Sequence, residues 1–350
     1  MTRFTRRLLI AGAGLAAVSV LLLVAGITVV RSAWFREEVR QRVIREVESA
    51  TGGRAEIGVF SFDWRRLRAE VRSFVLHGAE EPGAPPLFSA SSVEVGLRVI
   101  SALRRDVDIA YLSLVEPRIR IVIYEDGRTN LPQPKAARVR RNPVEQVLGL
   151  AVKRFEVRRG LLEIDQRQFP LEARGEDLSA RWYYRTAGPS YTGEVSFRKL
   201  NLSSPSLVPT ALDADLSLEL ASSRLTLREA RFATGRSSLQ VTGAVTDLRS
   251  PHLDLSLGGR LSVAELMSSA RLKASGQGML TIAGQFLFTS KSDYSLTAQV
   301  SGGGLSARAA GAEIKGLGFS SAIKLDPESI QLGRLSMSAL GGAFSGSAQF

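Results

Sequence analysis

The chain has 350 residues, is 44% apolar and carries a formal charge of +12 with a pI near 10.5. It holds no cysteine and only two histidines, His77 and His252, which excludes disulfides, thiolate metal sites and an imidazole-built zinc centre. Each histidine reads as a surface or strand-end residue, and the positive charge calls for an anionic partner, either nucleic acid or acidic lipid headgroups.

Arg3, Arg6 and Arg7 open the chain, and 23 residues without a charge follow, Leu8 to Val30. At about 1.5 Å rise per residue this run reaches roughly 35 Å, enough to cross a bilayer core. It exceeds the roughly 7–15 apolar residues of a signal peptide, and Arg31-Ser32-Ala33 is a poor cleavage site. Residues 1–31 therefore read as a short tip and an uncleaved transmembrane signal-anchor. An anchored chain makes lipid, and not nucleic acid, the expected partner. Arg3, Arg6 and Arg7 precede the run while Arg31, Arg36, Arg40, Arg42 and Arg45 follow it, so counting charges does not fix the orientation.

Residues 32–53 read as an amphipathic helix, with Val39, Val43, Ile44 and Val47 at helical spacing and a stop at Gly52-Gly53. Trp34 and Phe35 sit where aromatic rings favour the membrane interface. An ordinary packing helix and one that lines the membrane-proximal end of the following domain are compatible readings.

From Arg54 the period changes to two, and 54–130 forms a first β segment. Ile57 and Val59 lead to Asp63-Trp64; Leu67, Ala69 and Val71 alternate with arginine and glutamate. Val93, Val95, Leu97 and Val99 follow, then a break at 101–105, then Val107 and Ile109. Ile119, Ile121 and Ile123 alternate with Arg118 and Arg120 and end in the turn Glu125-Asp126-Gly127-Arg128. Residues 131–152 are a basic linker and short helix: Pro132, Pro134, Lys135, Arg138, Arg140 and Arg141 precede Asn142-Pro143, an N-cap with proline at the first helical position. With Lys153 and Arg154 these cations form the most basic stretch, either a solvated loop or a contact for anionic headgroups.

Residues 153–350 are almost purely strand and turn, with apolar positions such as Leu162, Ile164, Leu239, Val241, Leu280 and Ile282. Val263–Ala274 is the one helical candidate, a short turn. Ser238–Val245 and Met279–Phe286 repeat one another weakly, with Ala343–Phe350 a looser third copy; each has a glycine midway, where a strand bends or a backbone approaches closely. The chain stops at Phe350 in mid-strand, which reads as a sheet continuing further.

No catalytic constellation, cofactor site or metal site is expected. The sequence holds no G-x-S-x-G, Walker loop or H-E-x-x-H, and the pairs Asp106/Asp108 and Asp213/Asp215 read as polar-face residues of strands. The one-sided strands leave two architectures open, a closed sandwich and an open trough whose lining runs through Ile57, Val59, Val93, Val95, Leu97, Ile119, Ile121, Leu162, Ile164, Leu239, Val241, Leu280 and Ile282. In a trough, each acyl CH₂ taken from water contributes roughly 0.8 kcal/mol.

The order of the motifs resembles AsmA-like proteins and their TamB relatives. It comprises the anchor, the helix ending Thr51-Gly52-Gly53-Arg54, Val59-Phe60-Ser61-Phe62-Asp63-Trp64, and Pro85-Pro86-Leu87-Phe88-Ser89-Ala90 leading into Val93-Glu94-Val95-Gly96-Leu97. Glu116-Pro117-Arg118-Ile119-Arg120-Ile121 and Asp126-Gly127-Arg128-Thr129-Asn130-Leu131-Pro132 follow, then Arg159-Gly160-Leu161-Leu162-Glu163-Ile164-Asp165 and 239–248. The resemblance implies a single-pass inner-membrane protein with a periplasmic domain: an elongated, twisted antiparallel β-sheet curled into an open apolar groove that conducts phospholipid toward the outer membrane. The alternative it implies is an assembly scaffold, in which a sheet edge pairs with an outer-membrane barrel or another envelope protein. It brings no catalytic residues.

Overall fold

A computed structural model describes residues 32–101, 106–132, 151–167, 171–205, 207–248, 250–269, 274–290, 292–309 and 312–350. The run Leu8–Val30, the linker cations Lys135, Arg138, Arg140 and Arg141, and the helix expected after Asn142 lie outside them. Among the described residues no helix is long and apolar enough to cross a membrane.

Helix α1 spans Ala33–Thr51, as the periodicity predicts. The Ser32 hydroxyl caps its start by accepting from the Phe35 N–H at 3.1 Å. Gly52 ends it at φ 79°, a left-handed conformation that glycine adopts without a Cβ penalty, and donates its N–H to the Glu48 carbonyl. Eighteen strands follow in one mixed sheet. The first nine are β1 (Arg54–Asp63), β2 (Arg68–His77), β3 (Phe88–Ser101), β4 (Asp106–Val115), β5 (Arg118–Ile123), β6 (Arg154–Gln166), β7 (Leu171–Arg185), β8 (Ser190–Ser204) and β9 (Leu207–Ala221). Then come β10 (Arg224–Ala233), β11 (Ser238–Thr246), β12 (His252–Ser262), helix α2 (Val263–Ser269), β13 (Ala274–Gln277), β14 (Met279–Ser290), β15 (Asp293–Ala309), β16 (Ala312–Leu325), β17 (Ile330–Ala339) and β18 (Gly342–Gln349). His77 and His252 sit at strand ends.

From β6 onward the sheet is a meander of antiparallel neighbours, with β13 and β14 sharing β15 as partner. The expectation of a wholly antiparallel sheet needs correction at β6. It pairs parallel with β4 (Leu114↔Val157) and with β5 (Ile119↔Leu162) in one unbroken register. A parallel pair needs a crossover of roughly a dozen residues or more, and the interval between Ile123 and Arg154 supplies it.

The β1 edge is covered by α1. Arg40 Nη1 donates to the Ile57 carbonyl at 2.8 Å, and Glu48 Oε1 accepts from the Ala55 N–H at 3.0 Å. Side chains of the helix thus satisfy backbone groups that an edge strand would leave unpaired. Near the other end of the first segment, the buried Asn130 accepts from Val122 N–H at 2.9 Å and donates Nδ2 to the Arg120 carbonyl at 2.8 Å. Its own carbonyl accepts from Ala79 N–H, tying β5 to the loop after β2.

Across β1 to β8 the apolar positions skip by three residues instead of two at matching places on six strands and at the β4–β5 junction: Ile57 to Phe60, Val71 to Phe74, Ala90 to Val93, Leu114 to Pro117, Val157 to Gly160, Gly175 to Leu178, and Phe197 to Leu200. The extra residues include Ser73, Glu116, Arg159, Asp177 and Lys199, all at φ between 49° and 62°. Side chains from both sides of this line (Ile119 and Leu162 with Leu114, Val157, Leu178, Ala180, Val195 and Phe197) pack into one cluster.

Candidate functional site: a continuous apolar face

Ladder partners share a face of a sheet, so the registers give the surface directly. One row runs Phe60, Val71, Val93, Leu114, Val157, Ala180, Val195, Leu216, Ala230, Val241, Leu257, Gly284, Ala298, Ile323, Leu332 and Ala348, one residue from each of sixteen strands. The adjacent row runs Phe62, Ala69, Val95, Leu112, Phe155, Trp182, Gly193, Leu218, Leu227, Gly243, Leu255, Phe286, Leu296, Leu325 and Ile330. Neither row contains a charge or a hydrogen-bonding side chain other than the Trp182 indole. At about 4.8 Å between strands the longer row covers on the order of 70 Å along the sheet.

The opposite face is polar. It carries Arg68–Glu94, Arg72–Glu70, Arg174–Glu163, Arg228–Glu219 and Arg231–Glu229 pairs, all at 3.4 Å or less. Glu70 and Glu219 are held below the ordinary carboxylate value, chiefly by hydrogen bonds from Arg72 and Arg228. Asp213 and Asp215 belong to this face: Asp215 accepts from Arg198, and Asp213 Oδ1 accepts from the Lys199 N–H. Among the described residues no cluster of His, Asp or Glu could hold a metal ion.

Ile57, Val93, Val95, Leu97, Ile119, Ile121, Leu162, Ile164, Leu239, Val241, Leu280 and Ile282 all pair with apolar or glycine partners on the apolar side. Val59 does not. It stands opposite Arg72 and is 61% exposed, because the irregularity at Gly58 and Ser73 exchanges the faces between Ile57 and Phe60. Phe60 takes the place that strict alternation assigns to Val59. The glycines of the weak repeat are positions of close approach: a Cβ on Gly243 would collide with the Asp254 carbonyl, and one on Gly284 with the Thr297 carbonyl.

From β9 on, the large residues of the apolar face, such as Leu216, Leu218, Leu227, Leu255, Leu257, Ile282, Phe286 and Ile323, are half-buried. A lone strand pair cannot bury such side chains, and no second layer of described residues covers them apart from α2. That helix braces one end of the strands: its Glu265 accepts from Thr234 Oγ1 at 2.6 Å, the Arg236 N–H at 2.9 Å and the Ser237 hydroxyl, while Ser269 meets Thr210 at 3.2 Å. Burial pushes the Glu265 carboxyl up, but these hydrogen bonds outweigh it and leave the group below its ordinary value.

Lys153 and Arg154 flank the start of β6. Arg154 pairs with Glu156 and stacks over Tyr111 at 5.8 Å, so it is engaged within the polar face. Trp34 is 69% exposed, and Phe35 approaches Trp64 from the β1–β2 turn. No family model and no curated protein matches the chain.

Proposed function

We propose that this protein is an inner-membrane-anchored envelope protein whose sheet lies in the periplasm, curls into an open trough and conducts phospholipid along its apolar face toward the outer membrane. The observation that carries this reading is the row of sixteen strands without a charge, left half-exposed over its C-terminal half. A surface of that extent and one-sidedness is uncommon on a soluble protein and marks a site for an apolar partner. An extended face suits acyl chains lying along it while headgroups stay in water.

The line of extra residues supports the curl. Inserted residues bend a strand and raise its twist, and placed in register across neighbours they bend the sheet. The cluster in which Ile119 and Leu162 meet Val157, Leu178 and Phe197 across that line supports a bend toward the apolar side. The order of AsmA-like motifs and the uncharged run at residues 8–30 support the anchor and the compartment. A carrier of this kind needs no catalytic group.

The test uses the alternation itself. A photo-crosslinking residue at Val241 in the full-length protein, irradiated in cells, should yield a phospholipid adduct, whereas the same residue at Gln240, on the other face, should not. Adducts at both positions or at neither would overturn the proposal. Val241→Asp should stop transport, read as loss of envelope integrity, without releasing the protein from the membrane.

A further inference from the structure

The apolar row that runs through Trp182 and Leu218 starts at Phe62, and Phe62 belongs to a second group of side chains. In the turn after β1, the Trp64 ring packs edge-on against Phe62 at 4.3 Å and lies 6.5 Å from Phe35 in the first turn of α1. Trp34, beside Phe35, and Trp64, 48% exposed, turn much of their surface outward. Indole rings placed so, apolar in body with a polar N–H, suit the bilayer interface.

The surrounding charge fits the same surface. Arg36, Arg65 and Arg66 are exposed around the rings. Asp63 is the carboxylate of this turn. Its Oδ1 accepts from the N–H groups of Arg65 and Arg66 at 2.9 and 3.2 Å, and its Oδ2 lies 3.9 Å from the Arg66 guanidinium. Glu37 and Glu38, next along α1, pair with Arg40 and Arg45, so the cations remain in excess, which favours anionic headgroups. Sequence supplies the third element, since the uncharged run ends at Val30, four residues before Trp34.

We infer that the β1–β2 turn and the start of α1 form one docking patch for an anionic bilayer surface, a second membrane contact beside the anchor. Phe62 is then the first apolar step from the acyl region onto the sheet; this last role rests on the carrier reading. Docking at two points fixes the angle of the sheet to the membrane, which a lone anchor leaves free.

The test uses full-length protein in vesicles of phosphatidylcholine and phosphatidylglycerol, in variants that each keep one of Trp34, Trp64 and Trp182 and replace the other two by Phe. With Trp64 alone, emission should be quenched by lipid brominated near the headgroup end of its acyl chains. Arg65→Glu with Arg66→Glu should abolish that quenching, and Arg65→Lys with Arg66→Lys should retain it. Unquenched Trp64, or quenching indifferent to the charge reversal, overturns the inference. The variant with Trp182 alone reports lipid on the apolar face independently. Quenched Trp182 with unquenched Trp64 removes the docking patch and spares the carrier; the reverse spares the patch and removes the carrier.

Discussion

The strands from β1 to β8 and those from β9 to β18 obey the same alternation but treat their apolar side differently. In the first set, Ile57, Val71, Val157, Leu178 and Tyr191 are buried, and ion pairs lace the polar side. In the second set the described apolar strand residues larger than alanine that reach full burial are Val300 and Leu305, while leucines across β9 to β12 stay half-exposed. The polar side there keeps the Arg228–Glu219 and Arg231–Glu229 pairs on β9 and β10 and turns to Ser, Thr and Gln further on, as at Ser256, Gln285 and Thr297. The first half builds a core of its own around the line of extra residues. The second half, lacking that line, leaves much of its apolar side half-exposed. Stability and the proposed binding thus fall on different parts of one surface.

That contrast is sharpest at matched positions of the same row. Val157→Asp places an unpaired charge in the first-half cluster and should cost at least about 3 kcal/mol of stability. Val241→Asp, at a half-exposed site, should cost about 1 kcal/mol while stopping transport. Urea melts of both variants measure this, and equal losses would dissolve the distinction between the halves. Asn130→Ala should follow at about 2–3 kcal/mol, because it strands the Val122 N–H and the Arg120 carbonyl. Hydrogen exchange concentrated at β5 would place the damage, whereas uniform exchange would not fit.

In the second half, Glu265→Ala should cost about 1–2 kcal/mol by freeing the turn before β11 from α2. Its native pKa lies below the ordinary 4.5, so this contribution is full above that value and fades as pH falls through the lowered native value. Wild type and variant should therefore converge in melting midpoint under acid and differ at neutral pH. Replacing Arg72 by Ala should change the midpoint least of all, since an exposed ion pair is screened and costs side-chain entropy to hold. A large shift there would show that the polar face, and not the apolar cluster, stabilises the first half.

Period-two patterning made β3, β5 and most of β9 to β17 legible in the sequence, because each strand needs only its own alternation to choose a face. Helix α1 was equally legible from Val39, Val43, Ile44 and Val47 and its glycine stop. The parallel docking of β6 was not, since no local pattern in 154–166 distinguishes a parallel neighbour from an antiparallel one. Val59 was misassigned because strict alternation overlooks an extra residue. The signal was present: apolar positions three apart recur at Val71/Phe74, Ala90/Val93 and Phe197/Leu200, and their coincidence becomes visible once the strands are laid in register. The aromatic group was half legible, with Trp34 and Phe35 read from their place after the apolar run. Trp64 joined them only through the fold, 29 residues after Phe35.

The covered edge at β1 gives the sheet a direction of growth. With Arg40 on the Ile57 carbonyl and Glu48 on the Ala55 N–H, α1 stands where a further hairpin would have to pair. The meander has no such stop between its hairpins. Duplicating or deleting one there would change the span by about 10 Å while leaving the starting end undisturbed. Length in such a protein is a quantity that evolution can tune in fixed increments, like links in a chain hung from a single hook.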